Sequence, residues 1–381
     1  MTKQHIKEID VLRVMGFIFV VVQHVLGGFA FREGASFSDS LILSFFYVMA
    51  KPAVPIFVTI AAMMMVYKNK EPVNWSQFYK KKMLYIALPY VIWTVLNILD
   101  GMQYGNVSFA HFPGQLLAGT GRYHLWYMSM MLRIYLYFPL ILFLIDIISR
   151  KGKAFKGVFL IFYILFYAFL LANNSFTDLE GQLIFTHPTD NELKFLARTP
   201  WLWSLYVVLG AYMILGYSTF KKWLEHFQKQ IWIAYVPLLL YNYYVEISNN
   251  IPGHAVKMNY LNELFFVLFV VSSILVFYDL ACQIADRESK LYYKISEYAN
   301  YSYAAYLAHV IILQALYKFY TSFFSVKSFL DTAVLLFLLT VILTFKAMKW
   351  LSLLPFSEYF LGTKMKYKIK WIRKREHSLS A

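Results

Sequence analysis

Two ionisable residues share the first long apolar run of the chain: Arg13 and His24, within IDVLRVMGFIFVVVQHVLGG at 9–28. A helix needs about 20 residues to cross the hydrocarbon core of a bilayer, so this run is long enough to be a membrane span. Ionisable side chains inside a span are costly and mark functional sites. Arg13 and His24 are eleven positions apart, which puts them on one helix face, about 20° apart, with an axial rise of about 16 Å. A guanidinium is a permanent cation that fits a phosphate or carboxylate. An imidazole changes charge near neutral pH, which suits a general base. One face of one helix thus offers anion binding at one end and acid–base chemistry toward the other.

Other residues of the same kind recur along the chain. Asp10 lies three positions before Arg13 and can pair with it on the helix surface. Lys51 falls near the middle of the second apolar run, in MAKPAVPIF, where Pro52 and Pro55 interrupt regular helix; membrane proteins tolerate that where helices pack or line a cavity. Lys80, Lys81 and Lys82 precede the third run, as an anion site or as ordinary anchoring at a membrane surface. The fourth run, RYHLWYMSMMLRIYLYFP, brings His124, Trp126, Tyr127 and Arg133. Its aromatics suit either an interfacial belt or the wall of a substrate site. Tyr306 stands three residues before His309 in the ninth run, on the same face. Each histidine also has a plainer reading, a local polar contact or a helix cap. No phosphate-binding glycine loop, nucleophile elbow or His-Glu-x-x-His zinc helix is present. A single cysteine, Cys282, leaves no internal disulfide and no cysteine-based metal site; no metal is expected.

The elements that must position these residues follow from composition. Of 381 residues, 60% are hydrophobic and 20% aromatic, more than the half-apolar norm of globular domains. Long unbroken apolar runs argue against a β-barrel, which would alternate over short segments. The fold class expected is all-α, a polytopic transmembrane helical bundle. Ten candidate spans fall at roughly 9–30, 41–66, 83–100, 124–148, 155–172, 201–217, 231–247, 260–281, 298–318 and 328–353. The longest connection, 173–200, is polar and punctuated by Asn173, Pro188 and Pro200, and reads as a loop.

The net charge of +15 suits nucleic acid or cytoplasmic membrane loops, and the loops decide. With the N-terminus inside, the inner segments hold 24 Lys and Arg and the outer loops six. The expected topology is therefore N-in and C-in, and no nucleic-acid partner is needed. Residues 1–353 form one transmembrane domain. The tail at 354–381 carries the basic run 364–375, suited to anionic lipid on the inner face.

At these residues the chain resembles the integral-membrane acyltransferase 3 family, whose hallmark is an arginine, ten residues and a histidine in the first span. KPAVPIFV at 51–58 is similar to that family's basic-x-x-Val-Pro-x-Phe segment. FYKKKMLYIALPYVIW at 78–93 is similar to its basic run followed by Leu-Pro-Tyr. HLWYMSMMLRIYLYFPL at 124–140 resembles its His-Leu-Trp-Phe span, and SYAAYLAHVIIL at 302–313 its Tyr-Leu-x-His span. The lysine run, the Pro-Tyr and Gly-Ala-Tyr-Met at 210–213 look most like the intercellular adhesion protein C branch, which belongs to poly-N-acetylglucosamine production. There are departures: Ala61-Ala62-Met63 replaces the usual Ser-Gly-Phe, and Val310 stands where a proline often follows the last histidine.

The resemblance implies a multi-pass protein of a bacterial cell membrane. Its activity would move an acyl group, acetyl or succinyl, from cytoplasmic acyl-CoA to a hydroxyl of a surface or exported polysaccharide. Acyl-CoA is then a co-substrate, and no bound cofactor is expected. Arg13, Asp10 and Lys80–Lys82 would hold the donor. His24 would be the catalytic residue, as general base or as covalent acyl carrier. Lys51, His124, Trp126, Tyr127, Arg133, Tyr306 and His309 are its candidate neighbours, with Lys51, Arg133 or His309 as donors to an oxyanion. The rival reading is a translocator that helps export a polysaccharide, alone or within a glycan synthase complex.

Overall fold

The computed structural model describes residues 5–363 except 69–72, 106–107, 111, 174, 252–253 and 258. The basic run 364–375 lies outside the described residues. Among those described, every regular element is helical. In chain order the helices are α1 (Lys7–Ala30), α2 (Phe37–Ala50), α3 (Ala53–Lys68), α4 (Trp75–Lys82), α5 (Leu88–Met102), α6 (Phe112–Ala118), α7 (Trp126–Leu136), α8 (Phe138–Ser149), α9 (Lys153–Ala172) and α10 (Ser175–Phe185). There follow α11 (Asp190–Leu196), α12 (Ser204–Leu215), α13 (Tyr217–His226), α14 (Gln228–Asn249), α15 (Tyr260–Asp286), α16 (Lys290–Ala299), α17 (Ser302–Phe323), α18 (Phe329–Leu351) and α19 (Glu358–Leu361).

The first helix is the axis of the bundle. α1 packs against α2, α3, α15, α16, α17 and α18, and 72% of its apolar window is buried, against 11% for α9. A helix that is apolar all round belongs at the centre of such a bundle. α9 instead turns Phe155, Val158, Ile161, Phe162 and Phe169 outward, as a helix facing lipid does. The entry to α1 is pinned by buried carboxylates with hydroxyl partners, the condition under which burying such groups is tolerated. Glu8 accepts from Tyr217 and, at 3.1 Å, from Tyr278. Asp10 accepts from Ser296 at 2.8 Å and sits 2.7 Å from His5 Nε2.

Prolines place most of the breaks. Pro52 separates α2 from α3. A π turn over Met83–Ala87 joins α4 to α5, just before Pro89, which has no N–H to continue the ladder. The Ile86 carbonyl in that turn accepts from Tyr303 at 2.7 Å. α7 and α8, expected as one span over 124–148, are bent by 63° at Tyr137. Pro139 follows two residues later and clashes with a continuing helix. α12 and α13 meet at 99° across Gly216.

Ten spans were expected. Among the described residues, six helical segments are long and apolar enough to cross a membrane, or up to eight if each bent pair is one span. α14 and α17 coincide with two further expected spans and have 22 residues each, but do not reach that apolarity, because polar residues such as Asn242, Glu246, His309 and Gln314 interrupt them. The segment 173–200, read as a loop, folds largely into α10 and α11. The signal lies at Thr189, whose backbone N–H and hydroxyl both donate to Glu192 at 2.7 Å, a helix-start arrangement. The beginning of the expected tail is also structured: α19 packs on α5, where Trp93 Nε1 donates to the Phe360 carbonyl at 2.9 Å.

Candidate active site

Near the N-terminal end of α1 the bundle encloses a cavity of about 800 Å³. Its mouth is cationic. Arg13, Lys68, Lys81 and Lys82 line it, and four cations on one cavity favour a polyanion. Arg13 has its one ion-pair neighbour among the described residues, Asp10, at 3.8 Å, and its side chain is 36% exposed; that separation is too long for a good hydrogen bond. Lys82 stands 4.0 Å from the centroid of the Tyr135 ring, a cation–π contact that holds its ammonium at the cavity wall. Deeper in, the lining turns aromatic, with Phe57, Tyr127, Tyr303 and Tyr306. Phe57 comes so close to α1 that a methyl group at Gly16 would sit 3.0 Å from its ring. That close approach is why glycine suits the stretch between Arg13 and His24.

Beyond this aromatic end stand three histidines. Tyr306 is edge-on to Tyr127 at 5.4 Å between centroids, 5.7 Å from His124 and 6.0 Å from His309. His309 stacks on His24 at 5.3 Å and meets His124 edge-on at 4.9 Å. His24 and His124 are 6.3 Å apart, and the far side of His24 contacts Tyr123 at 4.8 Å. The order from the cavity outward is Tyr127, Tyr306, the pair His309 and His124, then His24, then Tyr123. His124 and His309 are buried, at 1% and 0% exposure, whereas His24 is half-buried.

Backbone contacts settle the tautomers. His309 Nδ1 lies 2.6 Å from the Tyr306 carbonyl, and His124 Nε2 lies 3.4 Å from the Leu307 carbonyl. A carbonyl can only accept, so each of those nitrogens carries the hydrogen. The opposite nitrogens, His309 Nε2 and His124 Nδ1, are buried acceptors with no partner among the described residues. Neutral His309 therefore has no second N–H to offer an oxyanion. Tyr306 adds a further tie by donating its hydroxyl to the His124 carbonyl.

The remaining expected site residues fall elsewhere. Lys51 occupies the α2–α3 break, paired with Glu246 at 2.6 Å. Its helix is linked to α1 through Gln23, whose amide donates to the Ala50 carbonyl at 2.5 Å, but Lys51 does not join the histidines. Asp10 faces α16 rather than the cavity. Lys80 is exposed and does not line it. Arg133 donates to the Phe195 carbonyl at 2.7 Å and to Ser129 at 3.0 Å. With Arg198, which donates to the Ala118 carbonyl, it caps the C-terminal ends of α6 and α11, where cations complement exposed carbonyls. Trp126 packs on Trp203 at 5.2 Å, away from the cavity. Sequence reasoning missed Lys68, Phe57, Tyr135, Tyr303 and Tyr123; none has an unusual residue type for its surroundings, so only spatial proximity identifies them.

A family model described as an acyltransferase domain, that of the acyltransferase 3 family, matches residues 6–349. No curated protein and no solved structure matches the chain.

Proposed function

We propose, for a chain that belongs to the acyltransferase 3 family and is a membrane acyltransferase acting on groups other than amino-acyl groups, that it transfers acetyl or succinyl from cytoplasmic acyl-CoA to a hydroxyl of a surface or exported polysaccharide. One observation carries this reading. Arg13 lines a cationic cavity, and from that cavity's aromatic lining a chain of ring contacts, Tyr127, Tyr306 and His309, leads to His24 on the same helix face. The cationic mouth, on the side where lysines and arginines gather, matches the phosphates of a CoA ester. The aromatic part of the lining, Phe57, Tyr127 and Tyr306, suits a pantetheine arm, and the rise of about 16 Å from Arg13 to His24 is within its reach.

In the step itself, His24 takes the proton of the acceptor hydroxyl as its oxygen forms a bond to the thioester carbonyl carbon. The carbon–sulfur bond then breaks, and the thiolate of CoA leaves with a proton returned by the imidazolium. A fixed cluster that holds the reacting groups in place supplies much of such a rate enhancement.

Cells carrying His24→Ala or Arg13→Ala at equal membrane abundance test this by mass spectrometry of the surface glycan. The expected result is polymer that is still made but lacks acyl groups. Unchanged acylation with failed secretion would favour the translocator.

A further inference from the structure

Two of the rings that meet His24, Tyr123 and His124, stand on no regular element. They lie in the turn 119–125, between the end of α6 and the start of α7. Reacting groups need to be held to about 0.5 Å, and a turn does this less well than a helix unless other groups lock it. The lock is Arg122, the residue before Tyr123. Its guanidinium is buried, at 4% exposure. It donates to Asp100 on α5 at 2.9 Å and to Gln314 on α17. The Arg122 carbonyl accepts from the Leu125 N–H at 3.1 Å, so the anchored residue and the approach to α7 form one turn. A second tie lies on the same faces. Asn97, three residues before Asp100, is fully buried and donates to the Leu307 carbonyl at 3.0 Å, the carbonyl that His124 also addresses. Leu307 and Gln314 are seven residues apart on α17, about two turns. The turn is thus clamped between α5 and α17 at two levels.

Stability alone does not call for this arrangement. Replacing a buried ion pair by apolar side chains of similar volume is often neutral or stabilising, because desolvating two charges offsets their attraction. What the pair gives is direction: a guanidinium with two fixed partners on two helices leaves the turn one position. We propose that Arg122 is a positioning residue of the acyl-transfer centre. With Asp100 and Gln314 it locks the turn 119–125 between α5 and α17, and so sets Tyr123 and His124 against His24. The role rests on the reading of His24 as the base of the transfer. Arg122 acts through those two rings and takes no part in the proton exchange. Asp100, Arg122 and Gln314 are absent from the lining of the cationic cavity, so loss of the clamp spares donor binding and lowers the rate of the step that follows it.

Three measurements on the full-length protein test this: acylation of the surface glycan by mass spectrometry at equal membrane abundance, the Kd for CoA in lipid nanodiscs, and Tm. The informative variant is the double substitution Arg122→Met with Asp100→Leu, which removes the clamp and leaves neither charge buried alone. It is expected to keep the wild-type Tm and Kd for CoA while acylation falls by about 10- to 100-fold, the cost of a small misplacement at a reacting centre. Arg122→Lys should recover part of the loss, since one ammonium replaces a fork that reaches two partners. Wild-type acylation by the double variant, or a loss of CoA binding in step with acylation, overturns the inference. If the double variant does not accumulate, Gln314→Leu decides, because it removes one arm of the clamp and leaves the ion pair whole. Reduced acylation at unchanged Tm and Kd then supports the inference, and unchanged acylation overturns it. His24→Ala in the same series separates the two readings. Acylation by His24→Ala removes the transfer reading and this inference with it, whereas an inactive His24→Ala beside fully active clamp variants removes the inference alone.

Discussion

Arg13 and His24 were legible because charge and imidazole are conspicuous in an apolar run, and helix geometry alone aligns them. Their surroundings were not. Tyr306 and His309 share a helix face, yet nothing in the sequence says that His309 stacks on His24, or that its Nδ1 is committed to a carbonyl. Lys51 and Arg133 carried the same signal as Arg13, but their charges are engaged by Glu246 and by helix-end carbonyls. An ionisable residue in a span reveals that a partner is needed, not which one. Arg13 itself is held only at 3.8 Å by Asp10, so its charge is available to the cavity. Arg13→Ala should therefore raise the KM for acyl-CoA by about 10- to 100-fold, the worth of one charge-assisted hydrogen bond, with a smaller effect on kcat. Arg13→Lys should recover part of the loss, since the charge returns without the planar fork. Steady-state kinetics with varied acyl-CoA would check both.

At the scale of elements, the apolar runs located the helices, and proline explained why several are broken. The bend at Tyr137 and the helices inside 173–200 escaped notice because a hydropathy run carries no bend angle and polar helices resemble loops until their caps are read. Glycine is informative in two further places. Gly210 on α12 lies so close to α3 that a methyl group there would be 2.3 Å from the Thr59 carbonyl, the kind of contact by which small residues let helix backbones approach in membranes. Gly210→Ala should cost about 1–3 kcal/mol through overpacking, seen as a lower Tm in detergent. An unchanged Tm would mean that α3 and α12 separate freely. Gly362 makes a parallel case. Its φ of +67° and the Tyr85 carbonyl, 2.4 Å from where a Cβ would lie, leave no room for a side chain. Gly362→Val should loosen α19 from α5, detectable as faster proteolysis after α18.

For the whole molecule, composition announced an all-helical membrane bundle, and the fold agrees. The number of crossings is less readable, because helices that line a polar site, such as α17, give up the apolarity by which spans are counted. Orientation rests on the distribution of lysine and arginine. The expectation it supports is a cytoplasmic cavity mouth and basic run 364–375, and the proposed function then needs the donor to meet Arg13 from within and the acceptor to meet Tyr123 from without. In a Cys282→Ser background, a cysteine at Ser38, which is exposed beyond the far end of α1, should react with an impermeant maleimide on intact cells. A cysteine at Lys370 should react only after lysis. Labelling in the reverse order would turn the bundle over and remove the basis for a cytoplasmic donor.

The division of labour along α1 is tested most directly in lipid nanodiscs, by measuring CoA binding and acyl transfer from labelled acetyl-CoA in parallel for His24→Ala and Arg13→Ala. The expected result is that His24→Ala binds CoA as the wild type does and transfers nothing, while Arg13→Ala binds CoA more weakly and recovers transfer at high donor concentration. Transfer by His24→Ala, or an equal loss of CoA binding in both variants, would contradict it.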